Sequence, residues 1–300
     1  MSNRRQQVSL AAVQFACGWD REENWDTAER LVREAAGRGA NIVLLPELFE
    51  TPYFCAAQNQ TYFKLASPAA GHPAVIHFQR LAKELSVVIP VSIFERAGTA
   101  FFNSVLIVDA DGRVVGHYRK SHIPQAPGYE EKYYFSPGDT GFKPVATAFG
   151  KLGLGICWDQ WFPETARALV LQGAEYLLYP TAIGSEPNNP EIDSMEHWRI
   201  VMRGHAGANM VPVLAANRIG KESVDGVAMT FFGSSFIAGH LGDIRAAAAR
   251  DGEAVLVERF DLEACREYRE SWGSFRDRRP DLYGSLQTLD GGLSKGSVCT

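Results

Sequence analysis

The chain has 300 residues, of which 46% are hydrophobic and 22% charged, and its formal net charge is −5. That is enough apolar material for a sizeable core, in one large α/β domain or two small ones. An acidic balance with no basic cluster argues against nucleic acid or an anionic membrane surface, because phosphate recognition needs concentrated Lys and Arg; a small molecule or a protein is the expected partner.

The start, Met1-Ser-Asn-Arg-Arg-Gln-Gln7, is polar and leads straight into a strand, so the apolar core of a signal peptide is not expected. No apolar stretch reaches the length of a membrane span. The five cysteines, at 17, 55, 157, 265 and 299, are odd in number and irregularly spaced, with no Cys-x-x-Cys pair, which points to a reducing cytoplasm.

The chain opens with a buried strand, Val8 to Phe15, and a helix over 22–36 whose apolar residues Trp25, Ala28, Leu31, Val32 and Ala35 fall at helical spacing. A second strand, Asn41 to Leu45, stops at Pro46-Glu47; a second helix, 74–85, leads into the strand Val87 to Ile93. Strands over 103–108 and 114–118 flank Asp109-Ala-Asp-Gly112, whose Asp-Gly marks a hairpin. The segment 119–141 is aromatic, rich in Pro and Gly, and too long for a passive connection, which predicts a functional loop.

Strand 152–157, a helix over 163–172 with Pro163 early and Gly173 beyond its end, and strand 175–179 form another βαβ unit. A helix near 192–208 and strand 211–216 repeat the pattern, and strands follow at 231–237 and 254–260. A polar tail over 261–300, without clear periodicity, is expected to pack on a partner subunit. Nothing divides the chain, so one domain over 1–300 is expected, with mixed sheets covered by helices.

Three apolar strands end on chemically capable residues: Leu44-Leu-Pro-Glu47, His117-Tyr-Arg-Lys120 and Leu154-Gly-Ile-Cys157. Ligands of α/β sheets sit at the carboxyl ends of strands, so the three can converge. Singly, each has an ordinary reading as a buried structural thiol, a surface turn acid or a solvated basic pair. Together they supply a nucleophile, a base and a cation. A cysteine at a strand-to-helix junction lies near backbone N–H groups and a helix's positive end, where thiolate is favoured. A carboxylate in an apolar pocket can take the thiol proton, and an ammonium with the backbone N–H of Trp158 can hold a developing oxyanion. Rival motifs fail: Gly153-Leu-Gly155 is too short for a dinucleotide loop, His197 and His205 are too far apart for a helical metal pair, and there is no Gly-x-Ser-x-Gly elbow.

The set Leu45-Pro-Glu47-Leu, Tyr118-Arg-Lys120-Ser-His-Ile-Pro and Gly155-Ile-Cys157-Trp-Asp resembles the signature segments of the nitrilase, or carbon–nitrogen hydrolase, superfamily, in order and over nearly the whole chain. The resemblance implies a four-layer αββα sandwich. It also implies a triad of Glu47 as general base, Lys120 as oxyanion stabiliser and Cys157 as nucleophile, supported by a second glutamate, Glu131, with Glu130 beside it as the competing position. No metal or organic cofactor is implied, and members commonly form homo-oligomers, dimers or larger.

Within the superfamily, the segments 128–142 and 179–187 most resemble the N-carbamoylputrescine amidohydrolase branch. That implies a cationic ureido substrate, whose ammonium wants a carboxylate and aromatic faces. Glu186 is the candidate for the charge, and Tyr53, Phe54, Tyr129 and Trp158 for walls along the aliphatic stem. The rival substrate is an N-carbamoyl amino acid or ω-amide, whose carboxylate would require a cation such as Arg199 or Arg218. A catalytically dead binding module is the alternative from another class. The segment Ala238-Gly-His240-Leu-Gly departs from the superfamily's usual Pro-containing turn.

Overall fold

The computed structural model describes residues 7–292; Cys299 lies outside them. The first half runs β1 (Gln7–Gln14), α1 (Arg21–Gly37), β2 (Ile42–Leu44), α2 (Pro73–Leu85), β3 (Ile89–Ala97), β4 (Ala100–Val108), β5 (Val114–Arg119) and a single helical turn, α3 (Glu131–Tyr134). Next come β6 (Val145–Thr147), β7 (Gly150–Leu154), α4 (Pro163–Leu171), β8 (Tyr176–Pro180), α5 (Met195–Asn209) and β9 (Val213–Ala216). The order closes with β10 (Ile219–Val224), β11 (Val227–Phe232), β12 (Phe236–Ala238), β13 (Ile244–Ala247), β14 (Ala254–Asp261) and α6 (Leu262–Trp272).

Two sheets face each other. The first has the order β14-β1-β2 and continues into β3-β4-β5, because Val43 N–H bonds Val88 O at 3.0 Å and Val88 N–H bonds Asn41 O at 2.8 Å. The second has the order β13-β12-β9-β8-β7-β6, parallel from β7 to β9. Leu10, Leu44 and Ile107 from one sheet meet Leu154, Leu178 and Leu214 from the other in a single buried seam. Helices α1 and α2 cover the first sheet's outer face through Leu31, Val32 and Phe78. Helices α4 and α5 cover the second through Leu169, Trp198 and Met202. This is the αββα sandwich, and each layer hides the apolar face of the next.

The alternating or continuous apolar runs became the elements they predicted, and polar caps set their ends: the Asp20 carboxylate accepts from Glu22 N and Glu23 N at the start of α1. The differences are instructive. The run 231–237 is two strands, because Gly233 (φ +51°) and Ser234 (φ +58°) turn the backbone left-handed between β11 and β12. Strands β6, β10 and β13 were missed because they are short or carry polar side chains at alternate positions. The tail begins with α6, capped by Asp261 and stopped by Gly273 at φ +77°; only Leu262 and Cys265 are buried, too narrow a stripe to register as periodic.

Glu95 ties the first sheet together immediately before the Lys120 turn. Its buried carboxylate accepts from Ser104 Oγ (2.6 Å), His117 Nε2 (2.9 Å) and Arg119 NH2 (2.6 Å). Burial alone would raise its pKa, but His117, Arg119 and Ser104 outweigh that and hold it at about 2 instead of 4.5. A depressed carboxylate stabilises the fold fully above its unfolded value and loses that contribution as pH falls through the folded one. Urea unfolding should therefore lose roughly 3 kcal/mol between about pH 5 and pH 2 from this residue alone. Glu95→Gln should flatten that part of the profile; an unchanged acid slope would remove Glu95 as the cause.

Candidate active site

Glu47 follows β2 on a turn that is held rigidly from outside. The fully buried Arg218 guanidinium donates to Glu47 O and Leu48 O, both at 2.8 Å, and to Thr51 O at 3.2 Å, with Glu222 Oε1 at 2.8 Å as its counter-ion. Leu48, at φ +47°, reverses the chain there. The Glu47 side chain is completely buried: Oε1 accepts from Lys120 Nζ (2.8 Å) and Asn103 Nδ2 (2.7 Å), whereas Oε2 has no hydrogen-bond partner among the described residues.

Lys120 is the first residue after β5. Its N–H bonds Asn103 O at 2.8 Å, and its carbonyl accepts from Gly138 N–H at 2.7 Å. A Cβ at position 138 would lie 2.0 Å from Arg119 O, so only glycine permits this approach. Lys120 Nζ also donates to Glu131 Oε1 (2.9 Å) and Oε2 (2.7 Å). Tyr53 OH donates to Glu131 Oε1 at 2.6 Å. Glu130 faces the other way and accepts from Gln58 Nε2 at 2.8 Å and from Gln125 Nε2, so Glu131 is the carboxylate beside Lys120.

Cys157 comes from the opposite sheet. Strand β7 ends at Leu154, and Cys157, at φ +40°, opens a tight 3₁₀ turn over 157–161 that precedes α4. Asp159 locks this turn: its N–H bonds Ile156 O (3.0 Å), and its carboxylate accepts from Ile156 N (2.8 Å), Tyr118 OH (2.8 Å) and His122 N (3.0 Å). The thiol points at Ala182 O, 3.7 Å away.

The electrostatics correct one expectation. Burial, and then the neighbouring Glu47, push the Cys157 thiol well above its usual range, with Lys120 opposing them. The resting group is a thiol, not the thiolate expected at a strand tip. A 3₁₀ turn separates the sulfur from α4, and two carboxylates share the Lys120 ammonium. Burial would depress Lys120, but Glu131 and Glu47 more than reverse this and keep it charged. Burial raises the Glu131 pKa to about 7 against the pull of Lys120. The cluster thus holds a fixed positive charge, a thiol proton and a carboxylate oxygen free to receive one.

Above it lies a cavity of about 280 Å³ whose lining includes Cys157, Glu131, Tyr129, Trp158, Trp161 and Glu186. Trp158 and Trp161 meet edge to face at 6.2 Å, and Tyr129 OH, accepting from Gly184 N at 3.0 Å, braces the loop that carries Glu186. The Glu186 carboxylate is half-buried, makes no side-chain hydrogen bond or ion pair among the described residues, and has its pKa raised by burial. Among the described residues no Lys or Arg lines the cavity. Arg218 is occupied at the Glu47 turn, and Arg199 reaches Glu196 (3.7 Å) and Ser234 O (3.4 Å).

Two expected walls are elsewhere. Phe54 is buried in an aromatic cluster with Phe94 (5.0 Å) and Tyr134 (5.1 Å), not in the cavity lining. Tyr53 is likewise buried outside the lining and supports the site from behind, through its hydroxyl on Glu131 and its ring against Tyr129 (5.8 Å). Sequence reasoning missed Asn103, and it missed Trp161 and His197 as cavity walls; the second tryptophan of Trp158-Asp-Gln-Trp161 was the available signal.

Comparison with known proteins gives this geometry its relatives. The chain is 60% identical to the N-carbamoylputrescine amidase of Arabidopsis thaliana, over 97% of this chain and 98% of that one. It is 50% identical to a citrullinase of Francisella tularensis, over 93% and 98%. A carbon-nitrogen hydrolase crystal structure from Helicobacter pylori G27 superposes with a TM-score of 0.89 at 40% identity, covering 94% of this chain and 99% of that one. Residues 9–270 match the carbon-nitrogen hydrolase family, and the chain belongs to it.

Proposed function

We propose that the protein hydrolyses the ureido C–N bond of N-carbamoylputrescine through a covalent cysteine intermediate, releasing ammonia, carbon dioxide and putrescine. The observation that carries the reading is the Glu186 carboxylate, which among the described residues is unpaired, on the wall of an aromatic cavity that they line with Cys157 but with neither Lys nor Arg. An alkylammonium supplies the charge such a wall lacks, whereas the carboxylate of an N-carbamoyl amino acid finds no Lys or Arg of the described residues there. The 60% identity to the Arabidopsis thaliana enzyme supports the same substrate.

In this mechanism Cys157 Sγ attacks the ureido carbon while its proton passes to Glu47 Oε2, the oxygen left without a partner. Lys120 Nζ and the Trp158 N–H receive the oxyanion. As the tetrahedral intermediate collapses, the C–N bond to the terminal nitrogen breaks and Glu47 returns the proton, so ammonia leaves and an S-carbamoyl enzyme remains. Water, deprotonated by Glu47, attacks the same carbon, and the N-alkyl carbamate released decomposes to carbon dioxide and putrescine. Glu131 keeps Lys120 in place and charged. No step calls for a metal or organic cofactor.

The test is kinetics on N-carbamoylputrescine, L-citrulline and N-carbamoyl-β-alanine side by side, with wild type and Glu186→Gln. The wild type should prefer the diamine derivative. The substitution should lower its kcat/KM about tenfold to a hundredfold, mainly through KM, as expected for one lost hydrogen bond to a charged group. Preference for either carboxylate-bearing compound would overturn the substrate. The reading extends to a cytoplasmic homo-oligomer: the described cysteines are free and buried, and Trp272, Leu282 and Leu286 are each about two-thirds exposed near the C-terminal end. Among the described residues no helix is long and apolar enough to cross a membrane.

A further inference from the structure

Asn103 sits on β4, the strand between β3 and β5, and is completely buried. Its backbone carbonyl accepts the Lys120 N–H at 2.8 Å, and its side-chain Nδ2 donates to Glu47 Oε1 at 2.7 Å. The amide orientation follows from chemistry, since an Asn oxygen facing a carboxylate oxygen would be repelled. The other half of the amide, Oδ1, has no partner among the described residues. A buried amide left half-satisfied is unfavourable for the fold, so its one side-chain bond is the feature that explains a polar residue here.

That bond decides which carboxylate oxygen is available. With Lys120 alone on Glu47, the carboxylate could rotate to offer either oxygen to the ammonium. The second donor, arriving from a neighbouring strand, fixes both bonds on Oε1 and leaves Oε2 bare. Asn103 also anchors the residue that carries the ammonium, so one side chain and its own backbone set the base and the cation relative to each other. We propose that Asn103 is a positioning residue for this reaction: by donating to Glu47 Oε1 it keeps both donors on that oxygen and leaves Oε2 as the one that takes the Cys157 proton.

The inference rests on Glu47 being the base, and the two are tested separately. Asn103→Asp keeps the shape and replaces the donor by an acidic group; Asn103→Leu removes the donor. Rates of ammonia release are referred to folded protein, taken from the thermal transition. Both variants should lose about tenfold to a hundredfold in kcat, with KM within about threefold of wild type, as expected for a misaligned reacting group. Each disfavours the ionised base, one by adding like charge and the other by withdrawing a hydrogen bond, so the acid limb of the kcat/KM profile should move to higher pH by about one unit. A merely structural role would lower stability or yield and leave that limb in place.

Glu47→Gln is the control. If it retains activity, the assignment of the base fails. If it is inactive while either folded Asn103 variant keeps wild-type kcat and an unmoved acid limb, the role given to Asn103 is wrong.

Discussion

Replacing Cys157 by serine is expected to lower turnover by at least about four orders of magnitude while substrate binding stays measurable. The hydroxyl is far less acidic than the thiol, and even the thiol is held protonated here by burial and by Glu47. A single carboxylate oxygen would then have to remove a proton from a much weaker acid, and a poorer nucleophile would attack. The aromatic walls and Glu186 are untouched by the change, so calorimetry with N-carbamoylputrescine should still report binding. Residual hydrolysis above about one part in a thousand, with contamination excluded by a Cys157→Ala control, would remove Cys157 as the nucleophile.

Lys120→Met should have the second largest effect, and on two observables at once. In the proposed mechanism, losing the ammonium removes an oxyanion donor, worth about a hundredfold to a thousandfold in kcat. It also leaves Glu47 and Glu131, both completely buried, with no cation between them. Breaking a buried ion pair from one side costs about 3–5 kcal/mol. The sign of the pH dependence follows. Glu131 is already raised to about 7 with Lys120 present, and without it the buried charge is less favourable still. The stability deficit should therefore be greatest at alkaline pH and shrink as pH falls and the carboxyl groups take up protons. A deficit that does not vary with pH would mean that the loss comes from packing alone.

The three strand-end residues were legible because each stops an apolar run, and mixed sheets covered by helices because such runs alternate with helical spacing; the four layers came only with the resemblance to the superfamily. What was not legible has a common physical origin. Asn103 lies inside Phe101-Phe-Asn-Ser104, where a polar residue in a strand looks like an outward-facing one until a partner sheet covers it. Tyr53 and Phe54 were expected as walls, yet aromatic residues beside a site read the same whether they line its cavity or support it from behind. Glu131 was chosen over its neighbour Glu130 through the resemblance alone, because chain position does not separate them; the turn of α3 is what brings Glu131 to Lys120. The thiolate expectation failed for a related reason. A strand-to-helix junction says where a sulfur sits, but its charge is set by what surrounds it in three dimensions.

The Cys157 turn has one more consequence. The sulfur and the Trp158 N–H are adjacent on one chain, in a turn that Asp159 clamps, so covalent geometry fixes their relation. Glu47 and Lys120 arrive from the facing sheet, and the bare Oε2 meets the sulfur only as well as the two sheets are spaced. The reach for proton transfer is therefore a thickness, set by the seam of Leu44, Ile107, Leu154 and Leu178. Thinning that seam would shift the base and the Lys120 ammonium together against the sulfur while the Trp158 N–H kept its place, so substitutions deep inside the core can mistune the chemistry without touching the cavity.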